Sequence, residues 1–550
     1  MQRRMVLSSV LTAATFIGAI VATALFDTTS VQTAAAPAAS CESLSSLSLL
    51  NATVTLAQTV APGAFTPPAA PGRGAAGGRG GTAAEGRGGA GGRGGIAQAQ
   101  AFASLPSFCR VAATLKPSSD SDIKIEVWLP TAGWNGKFQA VGNGGWAGTI
   151  VYQALAAAVA GGYATSSTDT GHTGNTAAFA LGHPEKLIDM GYRAVHEMTV
   201  HAKEIIDAYY GNAPRLSFWN GCSQGGRQGI TEAMRYPADF NAIVAGASAL
   251  NSMQMHGVRI ALSAIVHRTP DSYIPPEKYP AVHKAVLGAC DALDGVKDGV
   301  LENPARCRFD PKVLECTGAD GPGCLTRAQV ETARVLYAPV KNPAGATIFP
   351  ALLQRGSELG WATLAGPEPL GNALEAFKYV VFQDPSWDWH RFNPATDIEL
   401  AVKMDNGVLN LTDPNLKPFF DRGGKLLMYH GWADPQVASM NSVNYFNDVV
   451  GKVGKRVVGS SIQLYMIPGM NHCQGGPGTD TFDKMGAIEQ WVASGRAPDQ
   501  IIASHRTDGS VDRTRPLCPY GKVAKWKGAG GTDDAANFTC VVDTPAGATR

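Results

Sequence analysis

The sequence predicts an α/β chain: one mostly parallel sheet covered by helices, interrupted by an inserted lid domain. From residue 123 onward short apolar runs alternate with amphipathic helical stretches, the rhythm of strands buried on both faces. That rhythm stops near residue 250 and resumes after residue 402, and the interval is rich in Pro, Trp and Cys. Composition agrees, since 45% hydrophobic and 17% charged residues exclude wholesale disorder. Lys plus Arg (46) against Asp plus Glu (45) leaves +1, so no global field draws the chain to nucleic acid or to an anionic membrane. The expected division is a leader over 1–39, a first core segment over 40–250, the lid over 251–402 and a second core segment over 403–550.

Arg3 and Arg4 precede an apolar run from Val6 to Phe26 and an Ala-rich stretch from Thr33 to Ser40, the pattern of a signal peptide cut between Ala36 and Ser40. A retained anchor is the rival reading, because the run is just long enough to span a bilayer. Export places the protein in a secreted or periplasmic compartment, where ten cysteines read as up to five disulfides. From Pro71 to Gly95 the chain is rich in Gly, with four Arg, one Glu and, after Pro71, no apolar side chain larger than Ala, so it cannot fold alone. An RGG-type RNA segment would interleave aromatics for stacking, and this stretch has none. A flexible loop subtended by a disulfide is the plainer reading.

Strands are expected at Ile123–Leu129 and Lys137–Val141, the latter leading into the glycine loop Gly142–Gly148, and then at Gly162–Ser166, Arg215–Trp219 and Ala242–Ala245. A helix is expected over Val195–Tyr210 and another after Gly225. Beyond the lid come a strand at Gly424–Tyr429, a helix over Gln436–Val450, a strand at Ser461–Ile467 and a helix over Asp483–Ser494.

Between a strand and a helix stands Gly221-Cys222-Ser223-Gln224-Gly225. This is the G-x-S-x-G pattern of a nucleophile elbow, whose glycines relieve a turn that pushes the Ser hydroxyl out of the sheet. A hydroxyl near neutral pH needs a His to take its proton and an acid to fix the His tautomer. In the α/β-hydrolase chain order of Ser, acid, His, Asp434 and His472 each follow a late strand, at the same sheet edge as the elbow. His430 reads as a buried, hydrogen-bonded residue. The oxyanion hole requires two backbone N–H groups: that of Gln224, after the nucleophile, and that of Gly144 or Gly145 in the glycine loop. Cys222 adjoins Ser223 and Cys473 adjoins His472, so a Ser–His contact brings the two cysteines within disulfide range.

These residues resemble the tannase and feruloyl esterase family, which includes hydrolases of terephthalate monoesters: GCSQGG at 221–226, GWADP at 431–435 and GMNHC at 469–473. The likeness runs from Cys41 to Cys540, with the Gly-rich insert as a departure from the family pattern. It implies an α/β-hydrolase core with Ser223, Asp434 and His472 as the triad.

Asp291, Asp294 and Asp298 lie with two glycines in a loop bounded by Cys290 and Cys307. Their oxygens suit Ca²⁺, though not in EF-hand spacing, and a solvated acidic turn is the alternative. The resemblance implies a structural calcium held by these three carboxylates and the carbonyls of Val296 and Val300. Locality and the family pattern pair Cys41 with Cys109, Cys290 with Cys307, Cys316 with Cys324 and Cys518 with Cys540. The local bridges are expected to matter most in a lid lacking a core of its own.

The expected function is a secreted serine esterase acting on a small aromatic ester: feruloyl, galloyl or terephthalate-monoester type. A lipase or peptidase on the same fold, or a non-catalytic calcium-stabilised binding module, are the competing classes. No nucleic-acid partner is expected, and no membrane partner once the leader is cut. For substrate choice, Phe377–Phe382 reads as a helical turn placing Lys378 and Phe382 on one face. Lys378 would meet an acidic or phenolic group on the acyl ring and Phe382 would pack on the ring. The plainer reading makes Phe382 lid core and Lys378 a solvated charge.

Overall fold

The computed structural model describes residues 38–68, 100–342, 344–411 and 413–543. Nearly all of the leader and the whole Gly/Arg-rich stretch lie outside them. A nine-stranded sheet organises the chain. Its strands are β1 (Ala52–Val60), β2 (Phe108–Leu115), β3 (Ile123–Pro130), β4 (Lys137–Val141), β5 (Ala164–Thr168), β6 (Leu216–Cys222), β7 (Ala242–Gly246), β8 (Lys425–Gly431) and β9 (Ile462–Ile467). The spatial order is β1-β2-β3-β5-β4-β6-β7-β8-β9. β1, β2, β3 and β5 pair antiparallel, and every pairing from β5 through β4 to β9 is parallel.

The parallel strands are apolar because both faces are covered. β7 and β9 are buried throughout. On one face α1 (Ala194–Tyr210) and α2 (Gln224–Arg235) help enclose a cluster that includes Met198, Ile205, Trp219 and Ile243. On the other a cluster built around Phe218, Leu427, Tyr465 and Trp491 receives α5 (Lys484–Ser494). The strands carrying the elbow, the acid loop and the His loop run parallel, so their C-terminal ends open on one edge, where ligands of such sheets bind.

The insertion is mainly helical, with α4 (Asp397–Asp405) packed on α3 (Ser252–Val266). Contrary to expectation it has a core of its own. Val330, Leu336, Trp361, Phe377 and Ala401 belong to one buried cluster with Met253 and Ile260 of α3. Burial of these large side chains at roughly 1.5–3 kcal/mol each outweighs what short local bridges add. Near the C-terminus, a hairpin of β10 (Ile501–Thr507) and β11 (Ser510–Leu517) and a pair of β12 (Lys522–Trp526) and β13 (Phe538–Val542) extend the second core segment. All five expected disulfides are present, with Cα–Cα distances of 5.5 Å (Cys41–Cys109), 6.0 Å (Cys222–Cys473), 5.4 Å (Cys290–Cys307), 5.1 Å (Cys316–Cys324) and 5.6 Å (Cys518–Cys540).

Candidate active site

β6 ends and α2 begins across a single residue, Ser223, held at φ 62° and ψ −122°. A non-Gly residue persists in such a strained region only where its surroundings over-determine it. They do so here: Ser223 N–H donates to Gly246 O (2.9 Å) and Ser223 O accepts from Ala249 N–H and Arg227 N–H (both 3.1 Å). The tight turn also needs glycine at 221, where a Cβ would lie 2.4 Å from Gly225 O, and at 142, where it would lie 2.6 Å from Gly225 Cα.

The Ser223 hydroxyl donates to His472 Nε2 at 2.9 Å, and His472 Nδ1–H donates to Asp434 Oδ2 at 2.6 Å. Asp434 is fully buried yet accepts three further bonds. Gln436 N–H and Val437 N–H donate to Oδ1 (2.7 and 2.9 Å), and His430 Nε2–H donates to Oδ2 (3.0 Å). Burial alone would raise this carboxyl. The adjoining His472 and the bonds from both histidines instead hold it well below the ordinary carboxylate range. Ser442 Oγ–H donates to His430 Nδ1 (2.7 Å), which fixes the His430 tautomer. The Cys222–Cys473 bridge ties the residue before Ser223 to the residue after His472.

A cavity of about 90 Å³ opens at Ser223. Gly145 and Gln224 line it and Gly144 does not. Gln224 is the first residue of α2, so its N–H has no partner within the helix. Gly145 has φ 57° and Asn372 and Asn175 close against it. Neither Lys378 nor Phe382 lines the cavity. Their segment is a widened π turn over Ala376–Val381 rather than an α-helical face. Phe382 stacks on Trp387 (5.2 Å between centroids) and packs against the lid core, and Lys378 O accepts from Asp384 N–H. Neither member of the expected ring-reading pair thus belongs to the wall of the Ser223 cavity. The wall residues that sequence reasoning missed include Ser252, Met255, His256 and Arg259 of α3. Their i, i+3, i+4, i+7 spacing on the helix after β7 is the signal that could have found them.

The acidic loop lies elsewhere in the lid, against β11. Asp294, Val296, Asp298 and Val300 line one cavity of about 20 Å³ together with Glu302, and Asp291 accepts from Asp298 N–H (3.3 Å) and Gly299 N–H (3.2 Å). Burial, aided by the charges of Asp298 and Asp291, pushes Asp294 up to about 6. The loop's carboxylate and carbonyl oxygens are of the kind a hard cation takes, but Arg513 and Arg515 line the same cavity. Arg515 donates to Asp298 Oδ2, so one carboxylate is already paired with a protein cation.

A doubly covered sheet of this order with a serine elbow at its edge defines an α/β-hydrolase, and comparison with known proteins narrows the class. The sequence profile described as "Tannase and feruloyl esterase" matches residues 109–541. An uncharacterized esterase of Xanthomonas campestris is 35% identical, over 94% of this chain and 93% of its own length. A probable feruloyl esterase B-1 of Aspergillus flavus is 32% identical over 79% and 86%. The crystal structure of feruloyl esterase B from Aspergillus oryzae superposes with a TM-score of 0.80 at 28% identity, covering 91% of this chain and 99% of that one. The chain belongs to the tannase and feruloyl esterase family of carboxylic ester hydrolases. No described helix is long and apolar enough to cross a membrane.

Proposed function

We propose that the protein is a secreted serine esterase that cleaves esters of small aromatic acids through an acyl-enzyme. The hydrogen-bonded chain Ser223–His472–Asp434, ending in a strained elbow at a cavity, carries the reading. His472 Nε2 takes the Ser223 proton as Oγ attacks the ester carbonyl carbon. The oxyanion that forms is met by the N–H groups of Gln224 and Gly145. His472 then gives the proton to the departing alcohol, and water repeats the sequence to release the acid. Asp434 stays ionised, keeps Nδ1 protonated and offsets the imidazolium charge. The four bonds it accepts pre-organise it for that role, His430 serving as a positioning residue.

The relatives named as feruloyl esterases support an aromatic acid. The Asp291–Val300 loop would hold a structural Ca²⁺, adding rigidity rather than chemistry. Export is supported by the basic-apolar leader and five disulfides. Release of p-nitrophenol from a short aromatic ester by the wild type, with loss of ~10³-fold or more in Ser223→Ala, is the expected result. Equal turnover by both proteins would remove the serine from the reaction.

A further inference from the structure

Three side chains able to hold a metal converge where α1, α2 and the loop before β7 meet. His196 stands on α1, Glu232 on α2 and Asp239 three residues before β7. One ligand atom from each lies within 4.8 Å of the other two, and none of the three lines the Ser223 cavity. Glu232 is only 1% exposed, yet both of its carboxylate oxygens are without a hydrogen-bond partner. Leaving a buried polar group in that condition is costly. Burial, with the like charge of Asp239 beside it, pushes the Glu232 carboxyl well above the ordinary carboxylate range. Lys203 offsets part of this charge through space, but its ammonium group donates to the Asp239 carbonyl and forms no ion pair with either carboxylate. The His196 ring is held by stacking on Tyr236 (3.7 Å between centroids, 8° between planes), and its Nδ1–H donates to Asp239 Oδ2 (2.7 Å). With its side chain 26% exposed, His196 gives an ion a way in from solvent.

We propose that His196, Glu232 and Asp239 form a metal site, separate from the acidic loop of the lid, that takes one Zn²⁺. An imidazole nitrogen with carboxylate oxygens is the mixed donor set that suits Zn²⁺, whereas Ca²⁺ requires six to eight oxygens. Ligand atoms on one tetrahedral zinc stand roughly 3.3 Å apart, so ångström-scale side-chain shifts bring all three to the ion. The open His196 side leaves the fourth position to water. The ion offsets the two carboxylate charges and supplies Glu232 with the partner it lacks. A proton shared between Glu232 and Asp239 is the rival occupant. It uses one Glu232 oxygen and leaves the other bare, whereas an ion can take both. The role of the metal is structural, since it ties α1 to α2 and to the loop entering β7. Glu232 stands about two turns, or ~12 Å, beyond Gln224 on α2. The ion therefore braces the helix that presents the Gln224 N–H without touching an ester at Ser223.

The test uses the full chain stripped of metal and returned to excess Ca²⁺, so that the lid loop is supplied. It is titrated with Zn²⁺ by calorimetry and with Co²⁺, which substitutes for Zn²⁺ and reports its coordination in its visible spectrum. The expected result is one ion per chain, a four-coordinate cobalt spectrum, proton release as the ligands deprotonate, and a Tm that rises with the ion. Glu232→Gln keeps the side chain's shape and removes its charge, and His196→Ala alters only the partly exposed rim. Each should weaken binding by ~100-fold or more, since even the loss of an outer-shell partner can cost that much. Far-UV circular dichroism and hydrolysis of a p-nitrophenyl ester verify that each variant is folded, and should Glu232→Gln not fold, His196→Ala carries the comparison. Equal binding by wild type and a folded variant would mean an adventitious ion only and would overturn the proposal. Absence of saturable uptake by the wild type would also overturn it, leaving the proton as the occupant.

Discussion

Replacing Cys222 and Cys473 together by Ser is expected to damage catalysis more than secondary structure. The bridge closes a span of 251 residues, for which the chain-entropy relation gives about 5.5 kcal/mol, an upper figure since measured bridges contribute ~2–5 kcal/mol. Its local effect is larger in consequence. Ser223 and Cys473 both hold positive φ, at 62° and 64°, and the bridge clamps these two strained turns so that Ser223 Oγ and His472 Nε2 stay 2.9 Å apart. Relaxation by 1 Å would cost roughly 100-fold in turnover. Steady-state hydrolysis of a p-nitrophenyl ester, far-UV circular dichroism and thermal melts on the same preparation separate the effects. The expected outcome is native ellipticity at 25 °C, a lower Tm and kcat/KM down about 100-fold. Native activity with only a lower Tm would show that the two loops hold their geometry without the bridge.

Asp434→Asn should lose orders of magnitude in kcat through the wrong His472 tautomer, with little change in KM; full turnover would place the acid elsewhere. The same variant tests a pH effect. Because the folded Asp434 value lies below the unfolded 3.8, its stabilisation is complete above that pH and is lost as pH falls through the depressed value. Tm should therefore fall less steeply below about pH 4 in Asp434→Asn than in wild type, and parallel slopes would contradict this. Chelation with confirmed metal loss should lower Tm, since an ion at 1,000 times its Kd contributes about 4 kcal/mol, and an unchanged Tm would reduce the Asp291–Val300 loop to an acidic turn. Lys378→Ala should alter carboxylated and unsubstituted esters equally, because Lys378 does not line the cavity; a selective loss would restore its role in reading the acid.

The parallel half of the sheet was legible because buried strands are short apolar runs with sharp ends: Ile462–Ile467 and Ala242–Gly246 fall within a residue or two of their expected bounds. β1 was not, since ATVTLAQTV is small, Thr-rich and half exposed on a sheet edge, and carries little of the apolar contrast that periodicity reads. The chain Ser223–His472–Asp434 came from a local motif and from order along the chain, both of which sequence preserves. The cavity wall did not: Arg259 lines it from α3, whereas Lys378, in the π turn at Ala376–Val381, does not. Which face of a helix meets a cavity is fixed by tertiary contacts, and here the sequence held only a faint spacing signal.

The central claim, that Ser223 forms the covalent intermediate, is tested most directly by trapping. The wild type is treated with an aryl phosphonate ester, a mimic of the tetrahedral intermediate, and its intact mass and peptide map are read by mass spectrometry. The account predicts one adduct per chain, on Ser223, in step with loss of activity, and no adduct in Ser223→Ala. Stoichiometric inactivation with the label on another residue would contradict it.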